Sequence, residues 1–410
     1  MQLNKDQSSL IDTLLKFYNN GGDQYFLVSG QAGVGKTTCM KFFAEQVLDT
    51  NPRTKICMSA PTNKAVAVLD SSLKMPDLTY KTIYSLLGLR MMANGEVKEL
   101  ADSGKDSVGN YDLVVIDEGS MVSSILIDYL FKKTRLADTK IVIIGDKEQL
   151  PPVGELISPI WKTFDVKYEL TEVMRHQNAI LEFVQSIRGD QHPVLESPGK
   201  PVYIDKTEDS FVGKITYMAE RGQFHTGSAK AVAWRNVTVD TLNNIIRDSY
   251  PPTQSPDKFI VGDRVVIKEP IIEADTTVAA TDEEGQVSFV RITTHTLYPM
   301  LKAWKIDIKL DIDKTTVTAH VIHEDSKKMM DDLLEGFKAE KKWNLFWKLK
   351  EAFHNVSYAY ALTAHRSQGS TFEHVFVDAG DVLLNRSPDE RAKCLYVACS
   401  RASKSLHLFV

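Results

Sequence analysis

The segment Gly30-Gln31-Ala32-Gly33-Val34-Gly35-Lys36-Thr37 has the glycine, lysine and hydroxyl spacing of a phosphate-binding loop. Glycines let backbone N–H groups curl around an anion, and a following helix would turn its positive end toward the same charge. Lys36 would then reach the β- and γ-phosphates of a nucleoside triphosphate, and the Thr37 hydroxyl would hold Mg²⁺. Further on, the apolar run Leu113-Val114-Val115-Ile116 delivers Asp117-Glu118. Adjacent acids at such a place call for something cationic. Asp117 would hold the Mg²⁺, usually through water, and Glu118 would be the general base on an attacking water. The plain alternatives are a glycine-containing turn and a solvated strand end. The apolar run Tyr25-Phe26-Leu27-Val28 before the loop, and the order of the two motifs, favour triphosphate hydrolysis.

Alternating strands and helices must position these residues. Segments 55–60, 111–118 and 140–146 read as further buried strands, and 38–48, 65–73 and 125–131 carry helical 3-to-4 spacing. This α/β alternation predicts a mainly parallel sheet with ligand loops at the strand C-termini. The chain has 410 residues, enough for about two to four domains. Its 43% hydrophobic and 25% charged residues are those of a soluble globular protein. No run approaches ~18 uninterrupted apolar residues and no secretory signal opens the chain, so a cytoplasmic location, host cytoplasm if phage-encoded, is expected. Cys39, Cys57, Cys394 and Cys399 lack metal-ligand spacing and read as reduced, buried thiols. A net charge of −5 gives no global basic footprint, but a single-strand groove needs only local cations and stacking aromatics.

Further segments occur in order along nearly the whole chain. Leu3-Asn4-Lys5-Asp6-Gln7 precedes the phosphate loop, and Ala60-Pro61-Thr62-Asn63-Lys64-Ala65 and Thr82-Ile83-Tyr84-Ser85 follow it. Then come Gly145-Asp146-Lys147-Glu148-Gln149-Leu150-Pro151-Pro152-Val153 and Leu170-Thr171-Glu172-Val173-Met174-Arg175. Tyr360 to Thr371 contains Thr363-Ala364-His365-Arg366-Ser367-Gln368-Gly369, and Leu395 to Arg401 ends in Ser400-Arg401. This series resembles the superfamily 1 helicases, within them the 5′→3′, RecD-like branch that includes the phage Dda-type enzymes.

The resemblance implies two RecA-like parallel-sheet motor domains in tandem, with ATP between them. It implies ATP contacts from Gln7, which would read the adenine, and from Gly30, Gly33, Val34, Gly35, Lys36, Thr37, Thr38 and Gly369. Catalysis would fall to Glu118, to Gln149 as the link to the γ-phosphate, and to two arginine fingers, Arg175 and Arg401. Such fingers can be worth ~10³ to 10⁵ in rate. DNA contacts would come from Pro61, Thr62, Asn63, Lys64, Thr82, Tyr84 and Ser85 in the first domain and Thr363, His365 and Ser367 in the second. The family usually has histidine where Tyr84 stands, so a contact there would be replaced by stacking or lost.

Two insertions interrupt the motor. Two short runs flank Asn94-Gly95, a hairpin signal, and the hairpin occupies the place of the family's strand-separating pin, with Met91 and Met92 at the fork. Alternating segments at 286–292, 303–310 and 315–321 predict a small SH3-like β-barrel. Over 324–353 the period becomes helical, with Met330, Leu333, Leu334, Phe337, Trp343, Phe346, Trp347 and Phe353 as an apolar stripe resembling the family's tower. Such stripes most often pack helices. Trp347 is singled out as a base-stacking exception. Residues 189–230 read as a connection with a peripheral helix. The expected division is 1–87 with 108–170 (first motor domain), 88–107 (pin), 171–257 with 355–410 (second motor domain) and 258–354 (barrel and tower).

The function so implied is that of an ATP- and Mg²⁺-dependent DNA helicase translocating 5′→3′, unwinding duplex or displacing bound proteins. It would work as a monomer on single-stranded and forked duplex DNA, with single-strand-binding or replication proteins as partners and no membrane. The alternatives are a non-unwinding ATPase or translocase, which needs no pin, and the motor subunit of a RecD-like nuclease complex, which should carry extra docking domains. RNA stays open as substrate, since only contacts to the 2′-OH tell the polymers apart.

Overall fold

The computed structural model describes residues 3–94, 97–152, 154–172, 179–251, 255–273, 276–312 and 314–410. The first half runs α1 (Lys5–Asn19), β1 (Tyr25–Gly30), α2 (Lys36–Thr50), β2 (Ile56–Ala60), α3 (Asn63–Leu73), β3 (Thr79–Thr82) and α4 (Ile83–Leu87). It continues through β4 (Leu89–Asn94), β5 (Val97–Asp102), β6 (Leu113–Ile116), α5 (Ser124–Thr134), β7 (Lys140–Gly145), α6 (Ile160–Thr163) and β8 (Val166–Leu170). Six of these strands form a parallel sheet in the order β3-β2-β6-β7-β1-β8.

The central strands read as unbroken apolar runs because helices cover both faces of the sheet. Val28, Val115, Val142 and Ile144 join one core cluster with Leu10 and Leu14 of α1 and Phe43 of α2. Leu27, Val114, Ile116, Ile141 and Ile143 join another with Leu86 of α4 and Leu126 and Leu130 of α5. Each fully buried side chain of this size contributes about 1.5–3 kcal/mol. The strand order sets the C-terminal ends of β2, β6, β7 and β1 side by side, and the phosphate loop, Asp117-Glu118, the segment from Gly145 and the segment from Ala60 lie at those ends.

β4 and β5 pair as an antiparallel ribbon in which Asn94 faces Val97. That register keeps Asn94 of the expected Asn94-Gly95 turn within β4, while Gly95 lies outside the described residues.

The second half begins with α7 (Ala179–Ser186), β9 (Val202–Asp205), α8 (Glu208–Glu220), β10 (Ala229–Ala233) and α9 (Asn236–Ser249). A largely antiparallel region follows: β11 (Arg264–Ile267), β12 (Ile271–Glu273), β13 (Thr276–Ala279), β14 (Glu284–His295), β15 (Tyr298–Leu310), β16 (Thr316–Ile322), α10 (Glu324–Ala339), α11 (Trp343–Ala352) and β17 (Val356–Tyr358). The chain then returns through β18 (Ala361–Thr363), α12 (Ala364–Ser367), β19 (Phe372–Asp378), α13 (Ala379–Leu383), α14 (Pro388–Cys399) and β20 (Ala402–Phe409).

A second parallel sheet has the order β18-β10-β19-β20-β9. The stretch 189–230 is therefore more than a connection, since it supplies the edge strand β9 and the covering helix α8. Four residues, Val202–Asp205, are too few to show a period in sequence. The intervening strands form an antiparallel sheet, β16-β15-β14-β11-β17, around Val265, Val287, Trp304, Ile306 and Ile308. The helical stretch 324–353 is a pair of helices, broken where Lys341 takes φ +56°. Met330, Leu333, Leu334, Phe337 and Phe353 of its stripe pack on Leu301 and Ala303 of β15.

Directly after Asp117-Glu118 the chain needs a residue without a side chain. A Cβ on Gly119 would stand 2.6 Å from Ile143 Cγ2 and 3.0 Å from Ile144 O. Gly119→Ala should lose about 1–3 kcal/mol in denaturant unfolding. Gly213→Ala, in α8 with nothing within 4 Å of the added methyl, should instead gain up to about 1 kcal/mol.

Candidate ATP site and polynucleotide cleft

The phosphate loop leaves β1 and enters α2 through Gly35, which caps the helix at φ +82°. A Cβ there would lie 2.5 Å from the Gln7 side-chain nitrogen, so glycine is required twice over. Gln7 is fully buried; its Nε2 donates to Val34 O (3.0 Å), and its Oε1 accepts from Asn4 N (3.1 Å) in a capping box. The residue expected to read adenine thus also fastens α1 to the loop. Lys36 Nζ donates to Gly30 O (2.9 Å) and Gln31 O (3.1 Å), which holds its charge across the loop mouth. Thr37 and Thr38 follow in the first turn of α2.

Asp117 and Glu118 follow β6, two strands away from β1 in the sheet with β7 between. Burial pushes both carboxyls up, opposed by Lys36 in each case and also by Arg401 for Glu118. Glu118 takes φ +52°, ψ +38°, a conformation that costs a non-glycine residue about 1–3 kcal/mol and clusters at functional sites. Asp117 Oδ1 accepts from Glu118 N (2.8 Å). The half-buried Asp117 carboxyl and the Thr37 hydroxyl are hard oxygen donors of the kind that suits Mg²⁺.

At the next strand end Asp146 is buried. Its Oδ1 accepts from Arg188 Nη2 (3.0 Å) and its Oδ2 from the Tyr396 hydroxyl (2.6 Å). Gln149 is also buried, its N–H on Asp146 O (3.0 Å), while its Oε1 has no partner among the described residues. A buried acceptor left open needs a reason, and a water held for attack on a phosphate supplies one.

Arg401 is buried just past α14. Its guanidinium donates to Val397 O (3.0 Å), Ser370 O (3.2 Å) and Ser400 Oγ (2.7 Å). Burial lowers its pKa, and Glu118 is the strongest charge opposing that. The expected base and this expected finger, from the two halves of the chain, thus lie near enough for each charge to act on the other. Arg175 lies outside the described residues.

A cleft of about 1210 Å³ opens between the two parallel sheets. Among the expected DNA contacts it is lined by Thr62, Lys64, Thr363 and His365. Thr62, Thr82 and Thr363 cap α3, α4 and α12, accepting from Ala65 N (3.1 Å), Ser85 N (3.2 Å) and Arg366 N (3.3 Å). Pro61 is buried and Asn63 exposed beside them. Tyr84 and Ser85 are exposed on α4, outside the cleft lining.

Ser367 is fully buried with its hydroxyl on Ala364 O (2.7 Å), so it braces the turn and does not face the cleft. Gly369 comes against α3: a Cβ there would meet Ala65 Cβ at 3.1 Å. Trp347 lies half-buried on α11, edge-on to Phe346, and is not part of the cleft lining. The side chains of Met91 and Met92 lie outside the described residues.

Sequence reasoning missed several lining residues, among them Trp234, Asn236, Lys268, Arg366 and Lys393. Trp234 had a signal, an aromatic residue directly after the apolar strand Ala229–Ala233. It also missed Glu284, whose Oε1 accepts from Lys64 (2.9 Å) and Oε2 from the buried Lys230 (2.7 Å). Burial would raise the Glu284 carboxyl, but the two lysines hold it far below the usual range. Burial takes Lys230 down to about 8. The lining also holds Glu155, Asp240, Glu269 and Asp389, so any pull on phosphate is local.

Two substitutions separate binding from hydrolysis. Lys36→Ala should abolish ATPase while leaving single-strand binding largely intact, because Lys36 faces the loop and not the cleft. Glu118→Gln should keep ATP affinity but lower kcat by about 10² or more, as removal of a general base does. ATP hydrolysis near the parent rate in Glu118→Gln would assign the base elsewhere.

Comparison with known proteins matches residues 2–203 to an AAA domain and residues 358–409 to a UvrD-like helicase C-terminal domain. The chain is 26% identical to an uncharacterized protein, R530, of Acanthamoeba polyphaga mimivirus, over 99% of each. It is also 26% identical to the ATP-dependent DNA helicase dda of Enterobacteria phage T4, over 85% of this chain and 86% of that one. Among solved structures, a Pif1 helicase from Bacteroides in complex with ADP-AlF3 and single-stranded DNA aligns with a TM-score of 0.56 at 16% identity, covering 100% of this chain and 92% of the other. An AAA-domain model and a UvrD-like helicase C-terminal model in sequence order, over motifs that the fold gathers at strand ends, together with the likeness to the phage T4 helicase along most of its length, support a superfamily 1 helicase of the Dda type, and the Pif1 structure shares its fold.

Proposed function

We propose that this ATP-driven DNA helicase moves 5′→3′ on single-stranded DNA held in the cleft between its two parallel sheets, and parts duplex at a fork. The observation that carries the reading is the shared wall. The strand ends that carry the phosphate loop, Asp117-Glu118 and Gln149 lie beside the one that carries Thr62 and Lys64, so nucleotide and strand press on one sheet edge. A closing cleft would bring Arg401 onto transition-state charge and shift the strand in the same motion.

In this reading residues 1–87 with 108–170 and 171–257 with 355–410 are the motor domains. The β4–β5 ribbon is the pin, and residues 258–354 form an SH3-like barrel with α10 and α11 as its tower. Thr37 and Asp117 would hold Mg²⁺, which when bound supplies charge neutralisation on the phosphates. Glu118 takes the proton of the attacking water, and Gln149 Oε1 orients that water. Thr62, Thr363 and His365 would contact the strand backbone and Trp234 a base. Among the described residues no helix is long and apolar enough to cross a membrane.

Lys64 must be shared between Glu284 and a phosphate. Lys64→Ala should weaken single-strand binding and reduce the salt slope by about 0.7. An unchanged slope would leave Lys64 a purely structural partner of Glu284.

Unwinding of 5′-tailed duplex should exceed that of 3′-tailed duplex, and DNA forms should exceed RNA forms. Replacing residues 91–97 by a short Gly-Ser turn should spare DNA-stimulated ATPase and single-strand movement while sharply reducing unwinding. Opening a base-pair step costs about 1.4 kcal/mol of stacking, within reach of a small wedge backed by a pulling motor. Unwinding and hydrolysis falling in parallel would make the ribbon a structural support; unchanged unwinding would place the wedge elsewhere.

A further inference from the structure

The Tyr396 side chain is fully buried, yet both hydrogen-bonding capacities of its hydroxyl are used on the first half of the chain. It donates to Asp146 Oδ2 (2.6 Å) and accepts from the phosphate-loop amide of Ala32 (3.0 Å). Tyr396 stands on α14, the helix that leads directly to Arg401. Asp146 is bound in turn to the hydrolytic arms. Its carbonyl accepts from Ser120 Oγ (2.7 Å), in the turn that follows Glu118, and from Gln149 N (3.0 Å). Arg188 already supplies a cation to the other carboxylate oxygen, so the charge of Asp146 does not by itself require a phenol. A phenylalanine would fill the same space. What the hydroxyl adds is a fixed connection between the helix bearing the arginine and the loop that holds the phosphates.

We propose that Tyr396 is a positioning residue for ATP hydrolysis: through its bonds to Asp146 and Ala32 it sets α14, and with it Arg401, against the phosphate loop. It does not touch the reacting atoms. Its effect runs through Arg401, so it governs turnover and not nucleotide affinity. The inference rests on the ATPase reading of the site and deepens it.

Tyr360 provides an internal control with the same bonding pattern away from the nucleotide. It is equally buried, and its hydroxyl bonds Asp263 Oδ1 and Arg264 N, both at 3.1 Å, within the second half of the chain.

The experiment measures ATP turnover with and without single-stranded DNA, ATP affinity and thermal unfolding in the full chain. Tyr396→Phe should lower kcat by about ten- to a hundredfold, the scale of a lost hydrogen bond to a charged group, with KM for ATP changed less than about threefold. Added to Arg401→Ala it should have no further effect, because the two act as a unit. Tyr360→Phe should lower the unfolding temperature without this kcat-against-KM split.

Asp146→Asn keeps an acceptor oxygen but loses its charge, so it should give a smaller fall in kcat that is not additive with Tyr396→Phe. It serves as the test if the phenylalanine variant does not fold. Unchanged kcat in Tyr396→Phe, a raised KM at constant kcat, or losses that multiply with those of Arg401→Ala would each overturn the proposal. A parent protein whose ATPase ignored single-stranded DNA would overturn the helicase mechanism instead, and would leave the effect of Tyr396 on basal turnover to be judged alone.

Discussion

A carboxylate buried as deeply as Asp146, 1% exposed, has to be paired, and the fold pairs it from the far half of the chain. Both of its side-chain partners from other strands and helices, Arg188 and Tyr396, belong to the segments around the second parallel sheet. The two sheets therefore cannot separate fully without stranding a charge at the centre of the first. Removing one partner of such a buried pair typically costs about 3–5 kcal/mol. The same residue supports Gln149 and the turn after Glu118, so a buried charged tie between the two halves stands beside the candidate catalytic groups. A motor must change the distance between its halves while keeping them attached. A tie placed at the nucleotide lets the triphosphate bias that distance where the leverage is greatest.

A second buried charge does the equivalent for the antiparallel region. Lys230 of β10 is buried, and its ammonium reaches Glu284 at the start of β14 and the carbonyl of Ala359. Glu284 also takes Lys64 from α3. One carboxylate thus joins the first sheet, the second sheet and the region inserted between β10 and β18. The insertion is not an appendage, because without it Lys230 would lose its counter-charge in the interior of the second sheet. A strand phosphate approaching Lys64 has to compete with an anion that Lys230 also depends on.

The first sheet was largely legible in the sequence because parallel strands covered on both faces show as short apolar runs, and its motifs sit where those runs stop. Asp117-Glu118 could be placed from the run before it. The left-handed backbone at Glu118 could not, since nothing in a glutamate announces positive φ. The edge strand Val202–Asp205 stayed hidden because an edge needs only a few apolar contacts. The break between α10 and α11 was hidden because Glu340-Lys341-Lys342 carries neither glycine nor proline. At the site, residues fixed by local geometry were readable. Those fixed by distant partners, Arg188, Tyr396, Glu284 and Trp234, were not. A lone arginine, tyrosine or glutamate has no spacing to read, and its role comes from a neighbour more than a hundred residues away in the cases of Tyr396 and Glu284.

Three helix-capping threonines, two of them in the cleft lining, show why motif spacing is nonetheless informative. Thr82 and Thr363 end a strand, Thr62 lies two residues past one, and each caps the helix that follows, using a lone pair of the hydroxyl on a backbone N–H. A hydroxyl has a second lone pair and one proton, so a capping threonine still has a donor to turn toward a phosphate. The requirement to start a helix at the end of a strand and the requirement to grip an anionic backbone therefore select the same residue type at the same position. Read as structure, such a threonine is a cap. At the C-terminal edge of a parallel sheet, where helix starts gather around one crevice, a row of such caps is also a line of hydrogen-bond donors. Positions that the fold needs for its own helices would, in the proposed function, also serve as a strand-binding wall.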